Sequence, residues 1–225
     1  MERLKIVLDG ETVLRSIPQS TEEVTLNQYV EICGANGTEE DPTMIVTAIM
    51  FNIEVDRIKG VREKDYKNMA AYLYWMRPNL LEEITTAKLK SKVNFMGSPC
   101  KYPKTIEEIT IGQKLYMDGL IRRAGEEKKM NYSVFADIVA VFMMPSIIGR
   151  YDENYLEEFK EMVLKEPAVN TVPLALFFLR GYNLLTLNGI LYSVVKGVKK
   201  NLGQKLRRWI SSGIFRYFTR SRKET

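Results

Sequence analysis

The 225-residue sequence contains no histidine. That removes the commonest general base near neutral pH, the base of Ser-His and Cys-His nucleophile pairs, and the commonest metal ligand. Cysteine occurs only as Cys33 and Cys100, with no metal-ligand spacing, so both are expected to be reduced side chains, a disulfide between them being the less favoured alternative. There is no Gly-x-x-x-x-Gly-Lys phosphate loop, no Gly-x-Gly-x-x-Gly fingerprint and no Cys-x-x-Cys pair. The opening Met1-Glu2-Arg3-Leu4-Lys5 is charged and alternating, unlike a secretory leader. These absences lead to the expectation of a non-enzymatic protein with no cofactor, no metal site and no catalytic residue.

Carboxylates are present but poorly placed for chemistry. Glu82-Glu83 and Glu107-Glu108 are adjacent pairs, and Glu153, Glu157 and Glu161 share one helical face. The last three could hold a hard cation only with ligands from elsewhere, and Lys160 and Lys165 lie beside them. A solvated helix face is the expected reading.

Charge is unevenly distributed. Ten basic residues fall between Lys196 and Thr225 against the single acid Glu224, so this stretch carries +9 of a total +5 and the other 195 residues carry −4. Val198, Leu202, Leu206, Trp209 and Ile210 recur there at three- and four-residue spacing, followed by Ile214, Phe215, Tyr217 and Phe218. An amphipathic, basic C-terminal helix is therefore expected. Lys196, Lys199, Lys200, Lys205, Arg207, Arg208, Arg216 and Arg220 are its candidate anion-binding residues, and Leu202, Leu206, Trp209, Ile210 and Phe215 its apolar face. Such a segment suits nucleic acid, an anionic membrane or a partner's groove, and the spacing does not choose among them. A solubilising terminus is the plain alternative.

The rest reads as mainly α-helical with one or two small β-hairpins. Leu4, Ile6 and Leu8 alternate before Asp9-Gly10, and Val13-Leu14 resumes the apolar run, predicting a hairpin over 4–14. A second is predicted from Val93 and Phe95 to Cys100 and Tyr102, turning around Gly97-Ser98-Pro99. Thr25-Leu26-Asn27-Gln28 predicts a capping box on a helix ending near Gly34, and Asp41-Pro42 opens another. A helix over 63–76 is expected to stop before Pro78, and one starting at the Thr110–Gln113 capping box to close at Gly125. Asn131 or Ser133 is expected to cap an apolar helix ending at Pro145. Tyr155, Leu156, Phe159, Met162 and Val163 predict an amphipathic helix with a Glu161–Lys165 pair on its wet face.

The run Glu22–Gln28 is echoed by Glu107–Gln113, each copy after a proposed hairpin and before an apolar helix. Either a unit is duplicated, or two helix starts use the same chemistry. The division expected is 1–90, a hairpin with helices; 91–195, a second hairpin with helices and a long apolar helix; and 196–225, the basic tail. The apolar stretch from Val172 to Val195 is long enough to span a bilayer, but Arg180, Asn183 and Asn188 argue for a buried core helix, capped by Thr171 and broken near Gly181.

Several blocks follow one another along the chain: Glu23-Val24-Thr25-Leu26-Asn27-Gln28-Tyr29, Phe51-Asn52-Ile53, Phe95-Met96-Gly97 with Tyr102-Pro103, Asp137-Ile138-Val139 running to Pro145, and Val172-Pro173-Leu174 with Phe177-Phe178. This order, over residues 1–180, resembles small helical virion-assembly and virion-associated proteins of tailed bacteriophages, including crAss-like and other phages of Bacteroides-type hosts. The resemblance implies an internal cargo or tail-region component located in the virion, or in the host cytoplasm during assembly. Its partners would be other virion proteins, with nucleic acid or anionic membrane reached through the tail. An assembly chaperone that leaves before the particle matures, or a peripheral membrane protein, are the alternatives.

Overall fold

The computed structural model describes residues 2–8, 10–35, 41–76, 80–90, 92–102, 109–126 and 132–182. The basic segment from Lys196 onward, with all its candidate binding residues, lies outside them, as does the apolar stretch beyond Tyr182. Within the described residues the fold is mainly α, 63% helical, with two small antiparallel hairpins.

The first hairpin pairs β1 (Glu2–Leu8) with β2 (Glu11–Ile17), Leu8 facing Glu11. Gly10, at φ +83°, supplies the left-handed geometry its tight connection needs. Alternation buries Leu4, Ile6, Leu8 and Ile17 on one face and leaves Leu14 on the other, half exposed.

Helix α1 (Leu26–Gly34) starts at a complete capping box, with Thr25 Oγ1 accepting the Gln28 N–H and Gln28 Oε1 accepting the Thr25 N–H. Asp41 caps α2 (Pro42–Phe51) through the Thr43 N–H, with Pro42 in the first turn. After α3 (Val55–Lys59), α4 covers Glu63–Tyr72 and stops four residues short of the expected Met76. There the N–H groups of Leu73 and Tyr74 turn to carbonyls three residues back, Ala70 and Ala71, and the chain tightens out of the α geometry.

Helix α5 (Leu80–Thr86) precedes the second hairpin, β3 (Val93–Phe95) with β4 (Ser98–Cys100). Its turn is at Met96-Gly97, both at positive φ, so Ser98 and Pro99 stand in the strand and not in the turn as expected. Pro99 is tolerated because a two-stranded sheet consists of edges.

Four helices build the remainder: α6 (Ile111–Glu126), α7 (Val134–Ile148), α8 (Leu156–Leu164) and α9 (Ala168–Gly181). Helix α6 runs one residue past Gly125. Ser133 precedes α7 already in helical geometry and its hydroxyl does not cap, while Asn131 lies outside the described residues.

Helix α7 is the centre of the described body. Every residue from Phe135 to Met144 is buried, with α6, α8 and α9 packed around it. It does not end at Pro145 but continues to Gly149, a left-handed cap. Proline has no N–H for the Val141 carbonyl four residues back. The buried Gln113 of α6 fills that gap, its Nε2 donating to Val141 O at 2.7 Å. The same side chain accepts the Thr110 N–H at 2.8 Å, completing the second capping box.

Helix α9 starts at Ala168, so Thr171 and Pro173 sit inside it and not at its start. The start is fixed by an antiparallel bridge to the entry of α1: Ala168 N–H donates to Val24 O at 2.7 Å and Leu26 N–H to Glu166 O at 2.8 Å. Thr171 Oγ1 donates to Pro167 O and caps nothing. The helix ends at Gly181, the place where the sequence suggested a break in a longer apolar helix whose remainder lies outside the described residues. Phe142 of α7 stacks on Phe178 of α9 with centroids 4.1 Å apart, and Phe95 of the second hairpin stacks on Phe159 of α8. One continuous core results, from Leu4 to Tyr182. No single helix among the described residues is long and apolar enough to cross a membrane.

Candidate functional site

Three polar constellations interrupt this apolar body. The first surrounds Asp137, a carboxylate in the first turn of the buried helix α7. Tyr116 of α6 donates to Asp137 Oδ1 at 2.9 Å, and Lys160 of α8 approaches the same oxygen at 3.3 Å while pairing with Glu157 at 2.9 Å. Burial opposes the Lys160 charge, but the bond to Glu157 and the field of Asp137 outweigh it and raise its pKa. Burial and the Asp137 charge push the Tyr116 phenol upward too. At pH 7 Lys160 thus stays charged and Tyr116 stays a protonated donor, a good setting for pinning three helices together.

The second is a cleft of about 510 Å³ between β2, α1, α2 and α3, with Ile49 and Ile53 in its floor. Arg15, Glu31, Glu54 and Arg57 line it, two charges of each sign. Arg15 is half-buried because alternation turns it to the inner face of β2, and its Nε lies buried without an acceptor. The nearest thiol chemistry is at Cys33 of α1, which burial pushes up to about 12, so it stays protonated at neutral pH.

The third is the anchor at the end of the described chain. Tyr182 directs its hydroxyl to α6, within 2.7 Å of Asp118 Oδ1 and 3.0 Å of Lys114 O. The chain therefore reaches position 182 held against α6, and the basic segment begins fourteen residues later in sequence, at Lys196.

Of the carboxylates singled out from sequence, Glu153, Glu157 and Glu161 are all exposed, and Glu157 is bound to Lys160. The ion pairs drawn on α8 are those of Lys160, where sequence pointed to Glu161 with Lys165. Among the described residues no group of three or more His, Cys, Asp or Glu side chains is placed to hold a metal ion. Glu107 and Glu108 lie outside them. Sequence reasoning missed Asp137 as the partner of Tyr116 and Lys160; its signal was a lone acid inside the apolar run 134–144. Nothing in the sequence marked Tyr182 as an anchor, since its partners are 64 and 68 residues away. No family model, no characterised protein and no solved structure matches this chain.

Proposed function

We propose that this is a non-enzymatic interaction protein: a helical body that makes protein contacts and carries, from Lys196 to Arg220, a basic amphipathic element that binds an anionic partner. The observation that carries this reading is the charge partition, +9 on the last thirty residues against −4 on the rest. Lys199, Lys200, Arg207 and Arg208 would meet phosphate or headgroup charges, while Trp209 and Phe215 would meet an apolar interface or a base. The resemblance in block order to phage virion proteins supplies the setting, a virion-associated component such as an internal cargo or tail-region protein.

Binding of the full chain to duplex DNA and to phosphatidylglycerol vesicles, each across a salt series, tests the anion-binding element. Replacing Lys199, Lys200, Arg207 and Arg208 by Gln should weaken binding at low salt. If DNA is the partner, the slope of log K against log salt should flatten by about 3–4 units. Unchanged affinity for both ligands would leave the tail a solubilising element and end the proposal. Mass spectrometry of purified particles tests the setting: a copy in the mature particle supports it, and loss on maturation favours an assembly chaperone.

A further inference from the structure

Among the described residues, the two most exposed large apolar side chains are Ile111, 78% accessible, and Leu115, 66%. They stand one turn apart on α6, with Arg122 two turns beyond Leu115 on the same stripe and Lys114 one row to the side, both exposed. Gln113, Met117 and Leu120 bury the opposite face against the core. Asp118, the acid on the outer stripe, already accepts the Tyr182 hydroxyl. The outer face of α6 thus presents aliphatic side chains among bases, the same pairing of residue types as the C-terminal segment. Tyr182 fixes the chain to this helix at the point from which it continues toward that segment.

We infer that the outer face of α6 is a second contact for an anionic lipid bilayer, working together with the basic C-terminal segment. This rests on the anion-binding reading above and names its partner. Charge decides against the basic segment from Lys196 as the occupant, because Lys114 and Arg122 would face its lysines and arginines. If the uncharged stretch 183–195 covered this face instead, the Ile111→Gln/Leu115→Gln variant would lose Tm, and that outcome too overturns the inference. Aliphatic side chains gain nothing from phosphates and cannot stack on bases, which argues against nucleic acid. Two apolar residues are far too few for the core of a stable protein interface, which needs about 800 Å² on each side. A bilayer sets no such minimum: each apolar side chain that enters the acyl boundary adds to binding, and each base near the surface adds attraction to anionic headgroups.

The test uses the full chain with vesicles of phosphatidylcholine, with and without phosphatidylglycerol, and duplex DNA as the other ligand. Ile111→Gln/Leu115→Gln alters only exposed positions, and its circular dichroism and Tm should match the parent. Its partition onto phosphatidylglycerol vesicles should fall about tenfold or more, from the loss of two inserting side chains, with DNA binding unchanged. Lys114→Gln/Arg122→Gln should lose affinity only for the vesicles that contain phosphatidylglycerol. As an independent readout, Leu115→Cys in a Cys100→Ser background, labelled with a polarity-sensitive fluorophore, should shift to the blue on anionic vesicles. Unchanged partition of the Ile111→Gln/Leu115→Gln variant, or no spectral shift at position 115, overturns the inference. If vesicle binding is lost in the four-site tail variant but kept in the α6 variant, the tail reading stands and this one falls. The reverse pattern sinks the tail reading and keeps α6. Equal losses of DNA and vesicle binding in the α6 variant would mean a general anion surface, and would also count against a bilayer contact.

Discussion

Glu166 joins three parts of the chain through two different atoms. Its carbonyl accepts the Leu26 N–H, and its side-chain Oε1 accepts the Met96 N–H at 3.0 Å, at the tip of the second hairpin. Met96 is held there at φ +51°, where a residue with a Cβ is disfavoured, so the bond helps to fix the turn. Burial raises the Glu166 pKa, and the Met96 bond only partly offsets it. A carboxyl with a raised folded-state pKa adds most stability below its unfolded pKa of about 4.3 and loses that contribution as pH rises through the folded value. Glu166→Gln keeps an acceptor for Met96 and removes the buried charge. It should therefore equal or exceed the parent in stability at pH 7, with the difference vanishing below about pH 4. Glu166→Ala should cost about 1 kcal/mol by leaving that N–H without an acceptor. Urea denaturation at both pH values measures both, and a Gln variant clearly weaker than the parent at pH 7 contradicts the account.

At the scale of elements, the two capping boxes were legible because each is a four-residue pattern with its own local bonds. The further use of Gln113 was not, because its Nε2 reaches a carbonyl 28 residues away. That bond is also why Pro145 failed as a stop signal: the rule assumes the orphaned carbonyl has no other donor. Beyond the caps the two copies differ in burial, for Leu26 is fully buried while its counterpart Ile111 faces outward. Gly112, opposite Asn27 in the echo, sits against the Tyr151 ring: a Cβ there would lie 3.1 Å from it, so the ring would have to give by a few tenths of an ångström. Gln113→Ala should cost about 2–3 kcal/mol, since it strands both Val141 O and the Thr110 N–H. Gln28→Ala, which loses only a cap, should cost about 1 kcal/mol. Pro145→Ala returns an N–H to Val141 O, so in that background the Gln113→Ala penalty should shrink by about 1 kcal/mol or more. Strict additivity in a double-mutant cycle rules out the proposed link between the two residues.

At the scale of the whole molecule, sequence periodicity identified the helical class and most of the core stripes. It could not show that both halves share one interior. Helix α9 packs on α7 and also on α5 and α1, and its first residue is hydrogen-bonded to Val24. The aromatic stacks and the Asp137 network add α6 and α8 to the same body. Such long-range bonds leave no trace in local patterns, and the division expected near residue 90 is tested by whether the two sides unfold together. A shared core has a thermodynamic signature: the halves should unfold together, because losing either exposes the other's buried face. Deleting residues 196–225 changes the net charge from +5 to −4 and leaves every described core residue in place. The shortened chain should therefore pass from cation to anion exchange at pH 7 while keeping its helical circular dichroism. It should also melt in one transition, with calorimetric and van't Hoff enthalpies equal and Tm within a few degrees of the parent. Two separable transitions, assigned by limited proteolysis to residues on either side of position 90, would show two independently stable units. The bonds between Val24, Leu26, Glu166 and Ala168 would then be a contact between units and not part of one core.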